Sequence, residues 1–234
     1  MKKLTILFVL FLVTTGFSQE LSGAQVLEKT IQYHDPNNSW KTFNGTLFVS
    51  MKTPSKPIRN SEITINLPQE CFYVKATQGD STTEYTFNKD TCKISFNGEE
   101  NLSEEILQKH QLSCNRAKLY KNYYTYLYGL PMKLKDKGTI IHNKVEYKAF
   151  KGKEYLVLKV TYDEKVGSDT WYFYFNPKTY AMEVYQFFKD SPTSGEYILL
   201  TEEETINGIK MPKVRAWYYN KNDTYLGTDF LSKN

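Results

Sequence analysis

Residues 169–188 read DTWYFYFNPKTYAMEVYQFF, and the alternation within them decides the fold class. Successive side chains of a β-strand point to opposite faces, so Trp171, Phe173 and Phe175 make one face apolar while Tyr172 and Tyr174 make the other phenolic. Asn176-Pro177-Lys178-Thr179 folds two such strands back on each other, because proline presets φ at the second turn position and asparagine accepts a local backbone bond at the first. A sheet with neither face fully wet belongs to a barrel or is wrapped around something.

The same period extends on both sides of this hairpin. Upstream, strands are expected at about 42–51, 59–67, 71–77, 82–87 and 91–96, with turn-rich connections short enough to make neighbours antiparallel. Downstream, strands are expected near 144–150, 154–162, 170–175, 180–188, 196–206, 210–219 and 225–231. Asn207-Gly208 is the strongest hairpin signal, since a type I′ turn needs positive φ at both positions. Pro212 belongs at an edge or a bulge.

Two helical stretches interrupt the strands. Ser22 with Gln25 fits a capping box opening a helix to His34, with Ala24, Leu27 and Ile31 on one face, and Pro36 ends it. Asn101 with Glu104 offers a second cap. The run after Cys114 carries Ala117, Tyr120, Tyr124 and Tyr128 beside Leu119, Tyr123 and Leu127, with Gly129 and then Pro131 as its stop. Aromatic residues on so wide an arc place this helix against the concave face of the sheet.

Residues 1–19 have the anatomy of a secretory signal: Lys2 and Lys3, an apolar run from Leu4 to Val13, and cleavage near Ser18 or Gln19. The apolar run is far shorter than the roughly 20 residues of a spanning helix. Residues 20–234 are expected to form one exported domain without a transmembrane span, a monomer. Taking Lys2 and Lys3 from the 30 basic residues leaves 28 against 26 acidic ones, no basis for nucleic-acid binding. Aromatics make up 15% of the chain, 19 of them tyrosine, and favour sheet. Cys71, Cys92 and Cys114 allow one bridge and one free thiol in an oxidising compartment. Their pairing is not deducible from sequence; Cys92 with Cys114 is favoured because it would pin a strand to the start of the following helix.

The order of elements, ending in NGIKMPK at 207–213, resembles the LolA-like half-barrel of lipoprotein carriers in Gram-negative periplasms. YHDPNNSW at 33–40, LYGLPMKL at 127–134, VGSDTWYFYFNP at 166–177, GEYILL at 195–200 and KVRAWYYN at 213–220 resemble, more closely, an uncharacterised family of exported Gram-negative proteins sharing this architecture. The resemblance implies a mostly β, α+β fold: one antiparallel sheet of about 11–12 strands, unclosed, with helices plugging an apolar concave side able to hold acyl chains. It carries no catalytic or binding residue with it.

Motifs for chemistry are sparse. His34-Asp35 would need a third convergent group, for which His110, His142, Asp163, Asp169 and Asp229 are all available and none indicated; a helix-terminal histidine near a negative dipole end and an aspartate starting the turn before Pro36 is the preferred account of the pair. Glu202-Glu203-Glu204 and Asp163-Glu164 lack the alternate oxygen positions of a calcium loop. No nucleophile elbow, phosphate loop, zinc spacing or cofactor motif is present, so no enzyme is indicated. The candidate ligand-binding set is Tyr120, Tyr123, Tyr124 and Tyr128 with Trp171, Tyr172, Phe173 and Tyr174, since aromatic walls with polar tips suit amphiphiles; a phenol-rich core contact would account for them as well. The expectation is an exported protein binding a hydrophobic or amphiphilic ligand such as a lipid or lipoprotein acyl chain. A cell-envelope interaction module with a filled core is the alternative.

Overall fold

The computed structural model describes residues 21–89 and 91–233, so the expected leader at 1–19 and its cleavage point lie outside the described residues. Twelve strands form one antiparallel sheet in the order β5-β4-β3-β2-β1-β12-β11-β10-β9-β8-β7-β6. The strands are β1 Asn44–Thr53, β2 Lys56–Asn66, β3 Cys71–Gln78, β4 Ser81–Asn88, β5 Thr91–Phe96, β6 Thr139–Phe150, β7 Lys153–Tyr162, β8 Thr170–Phe175, β9 Met182–Phe188, β10 Glu196–Ile206, β11 Ile209–Tyr219 and β12 Tyr225–Ser232. Helices are α1 Gly23–His34, α2 Glu104–Lys109 and α3 Cys114–Gly129, with 3₁₀ turns at Ser39–Thr42 and Met132–Lys135.

The topology explains where the helices must go. The chain walks outward from β1 to β5, then re-enters the sheet at its opposite edge with β6 and walks back until β12 pairs with β1, Val49 opposite Leu231. The connection from one edge to the other has to cross the sheet, and α2 and α3 are that crossing. Helix α1 packs on both the terminal strand β6 and the interior strand β11, which is possible only because the sheet curls around it. The result is the expected half-barrel, with an inner face lined by helices.

Both faces of the aromatic hairpin are covered. Trp171, Phe173 and Phe175 join the main core, while Tyr174 packs with Tyr155, Val157 and Val184 in a second cluster on the outer face, with Tyr172 against it. Asn176 Oδ1 accepts from the N–H groups of Lys178 at 2.9 Å and Thr179 at 3.2 Å, as the turn chemistry requires. Asn207 and Gly208 have φ of 51° and 82°, the type I′ geometry. Pro212 lies in an interior strand yet pairs only with Glu203 of β10, since pairing with β12 starts at Val214; its missing N–H therefore breaks no ladder.

Several local expectations are corrected. Ser22 and Gln25 do form the capping box, but α1 buries Gly23, Val26, Leu27, Thr30 and His34 and leaves Ala24 exposed. The cap of α2 is Ser103, whose Oγ accepts from Ile106 N–H, and not Asn101. Gly129 is the last residue of α3, and its role is close approach: a Cβ there would come within 2.3 Å of the Trp40 ring. Strand β6 begins five residues earlier than its alternation suggests, because a register shift between Ile141 and Val145 breaks the period there.

Candidate functional site

Helix α3 is capped by Ser113, whose Oγ accepts from Arg116 N–H at 3.1 Å. Tyr120, Tyr124 and Tyr128, four residues apart, form one ridge along it, with ring centroids 6.0 Å and 6.1 Å apart. Beneath the ridge lies a row of residues opposed across six strands: Gln78, Arg59, Met51, Asp229, Arg215 and Leu200. Directly opposed residues share a face, so Arg59, Asp229 and Arg215 all point inward at the helix.

The tyrosines and this charged row engage each other. Arg59 Nη2 donates to Tyr124 Oη at 3.2 Å, and its guanidinium carbon lies 5.9 Å from the Tyr120 ring centre. The Arg215 guanidinium sits 4.1 Å from the Tyr128 ring centre, and its Nη1 donates to Pro212 O at 2.8 Å. Trp217 Nε1 donates to Asp229 Oδ2 at 3.2 Å, while the Trp217 ring stacks on Tyr123. Arg215 is 1% exposed and Asp229 5%, so these are core charges. Burial pushes the Asp229 carboxyl above its ordinary value, and the two guanidinium groups pull it back only in part. The Nε atoms of Arg59 and Arg215 and the Tyr128 hydroxyl are buried without a protein hydrogen-bond partner.

Space lies beside the ridge. One hollow of about 350 Å³ is lined by Met51, Arg59, Arg116, Leu119, Tyr120 and Tyr123. An adjoining one of about 360 Å³ shares Arg59, Arg116 and Tyr120 and runs over Val74, Tyr85, Phe96 and Leu112. Across α3, a hollow of about 730 Å³ is lined by Tyr126, Tyr162, Trp171 and the loop at 166–169.

The eight sequence-nominated residues therefore divide. Tyr120 and Tyr123 line the first hollow, Tyr124 and Tyr128 fill the space under the helix, and Trp171 borders the hollow across α3. Phe173 is wholly buried and touches none of these spaces. Tyr172 and Tyr174 point to the outer face, where Tyr174 Oη donates to Gln186 Oε1 at 2.6 Å, so the structure does not bring them to the others. Alternation alone separates them, since even and odd positions of one strand cannot share a face. Arg59, Arg116, Arg215 and Met51 were missed as site residues, while Asp229 was named only as an available partner for His34 and Leu119 only as a residue of the tyrosine helix. A usable signal was present: the chain has three arginines among its 30 basic residues, and all three are here.

Cys92 and Cys114 are bridged, tying β5 to the first residue of α3, and Cys71 is free. His34 is a strut: its Nδ1–H donates to Lys210 O at 2.7 Å and its Nε2 accepts from Met182 N–H at 2.9 Å. Asp35 accepts from Ser39 N–H and Trp40 N–H. Among the described residues no three His, Cys, Asp or Glu side chains are placed to hold a metal, and no helix is long and apolar enough to cross a membrane.

Burial holds the His34 imidazole below its ordinary value of 6.5, so the folded state keeps it neutral where the unfolded chain protonates it. Its stabilising effect is complete above 6.5 and is lost as pH falls below that value. The stability advantage of the protein over its His34→Gln variant, from urea unfolding, is accordingly expected to shrink between pH 7 and pH 5. A pH-independent difference would show that His34 does not titrate in this window.

The fold is shared with a solved structure at low sequence identity. The chain is similar to a DUF1329 family protein from Desulfovibrio piger ATCC 29098, at 8% identity and TM-score 0.50, over 92% of each chain. It is similar to the LolA superfamily protein NE2245 from Nitrosomonas europaea, at 10% identity and TM-score 0.49, over 92% of this chain and 93% of the other. A putative outer membrane lipoprotein-sorting protein domain from Vibrio parahaemolyticus matches at 9% identity and TM-score 0.49, over 90% and 92%. No curated protein matches by sequence. A family model does match, over residues 2–234, and the chain belongs to that family, described as a family of unknown function (DUF6503).

Proposed function

We propose that the protein is an exported carrier whose cleft beside α3 takes up the apolar part of an amphiphilic molecule, a lipid or a lipoprotein acyl chain being the class it suits. The observation that carries this reading is the pair of adjoining hollows between α3 and β1–β5, of about 350 and 360 Å³. Each falls within the roughly 300–1,000 Å³ of small-molecule sites. Leu119, 68% exposed, stands at the mouth, and Met51, Tyr120 and Tyr123 form the wall. A large apolar side chain held in water beside an apolar hollow is what an occupant would cover. The reading assigns no catalysis to the protein. It also includes export by the leader at 1–19, checked by the N-terminal residue of the secreted product.

Native mass spectrometry of protein purified from a Gram-negative host, with titration of the neutral dye Nile red, tests the carrier. A co-purifying small molecule or saturable dye binding is expected. Leu119→Glu, placing a charge at the mouth, is expected to weaken dye binding by about tenfold or more. A protein that is bare and takes up no dye is instead an envelope interaction module with a filled core. The tight packing of Tyr124 and Tyr128 under the helix is the observation favouring that second reading.

A further inference from the structure

Positive charge flanks the apolar cleft, and within the protein Arg59 shares the one carboxylate of its row, Asp229, with Arg215. Lys56, Arg59 and Arg116 line the adjoining hollows, and neither lining contains a carboxylate. Among the described residues every ion pair uses a lysine, and none involves Lys56. Arg59 commits one hydrogen bond, from Nη2 to Tyr124 Oη, and Arg116 one, from Nη1 to Gln111 Oε1. The choice of residue is as informative as the charge. Of 30 basic residues only three are arginine, and two of the three face this cleft while the third is buried on the same sheet row. Arginine's planar fork matches the two oxygens of a carboxylate or phosphate, a geometry that lysine's point charge lacks. Half-buried Arg59 also lies where water screens charge less than at the open surface.

Building on the carrier reading, we propose that the cleft selects amphiphiles with an anionic head, a carboxylate or a phosphate ester. Arg59 and Arg116 hold the head, and the apolar part lies against Met51, Leu119, Tyr120 and Tyr123. Lys56 adds long-range attraction at the rim without fixing geometry.

Calorimetric titration of the full mature chain with decanoate, decyl phosphate and decanol, and with acetate and inorganic phosphate as head-only probes, tests this. Both anionic amphiphiles are expected to bind about tenfold or more tightly than decanol, as charge-assisted hydrogen bonds require. Arg116→Gln, at an exposed position, is expected to reduce that preference several-fold. Adding Arg59→Met is expected to abolish it. Equal binding of all three amphiphiles, or a preference that survives both substitutions, overturns the anionic head site and leaves the carrier reading standing. Binding of none of the three overturns the carrier reading itself. Acetate or phosphate bound as tightly as its decyl counterpart makes this a small-anion site and overturns selection of amphiphiles.

Discussion

Arg215→Met is expected to lower the unfolding free energy by about 3–5 kcal/mol, the range for removing one partner of a buried charge pair. Arg215 is among the largest fully buried side chains, packed under Tyr128 and opposed to Asp229 across the β11–β12 ladder. Methionine fills much of the volume, so the loss reports charge rather than a cavity. What remains is Asp229, dry and facing only Arg59 among the row's cations, with its carboxyl pushed still further up. An acid whose folded value is raised destabilises the native state once pH exceeds its unfolded value, so the deficit is expected to be smaller at pH 4 than at pH 7. Asp229→Asn added to Arg215→Met is expected to recover most of the loss. Equilibrium urea unfolding of the unsubstituted protein and the two variants at both pH values makes the measurement, and a loss under about 1 kcal/mol for Arg215→Met alone would show that the pair is not held dry.

Opening the Cys92–Cys114 bridge is the second large effect expected. The cysteines are 22 residues apart, and the chain-entropy treatment of a loop near that size gives about 3 kcal/mol. The consequence is also local, because the bridge fixes the first residue of α3 to β5 and α3 is one wall of the cleft. Cys92→Ser with Cys114→Ser, made with Cys71→Ser so that no thiol is left to exchange, is expected to lower the urea midpoint and to weaken Nile red binding together. Stability lost with binding intact would mean that the wall is set by the Tyr124 and Tyr128 contacts alone.

The elements were legible because each rests on a local signal. Ser22 with Gln25, Asn207-Gly208, and the alternation of residues 170–175 each name their structure within a few positions. The places that misled were those where a distant contact decides: Gly129 answers to Trp40, and β6 continues through a shift that erases its period. The candidate site was half legible. The tyrosine ridge could be read from a spacing of four on one helix. The row beneath it could not, because Arg59, Asp229 and Arg215 meet only when β2, β1, β12 and β11 fall into register, and that join brings the first strand to the last. What the sequence did carry was an arginine in an inward alternation slot of β2, in line with Ser61, Ile63 and Ile65. The expectation that helices plug the concave side also changes in detail. The middle of α3 is packed onto the sheet, and the free volume lies along its side.

An unclosed sheet has two bare margins, β5 and β6, and bare strand margins invite other chains to add on. Neither offers a good template. β5 is six residues long and is followed by a bridge between Phe96 and Glu99 that occupies its end. β6 is twelve residues long but broken by its register shift and studded with Lys144, Glu146 and Lys148. A protein built this way is expected to resist ribbon-like polymerisation at high concentration, and the irregularity that obscured β6 in the sequence is part of what makes that margin a poor template.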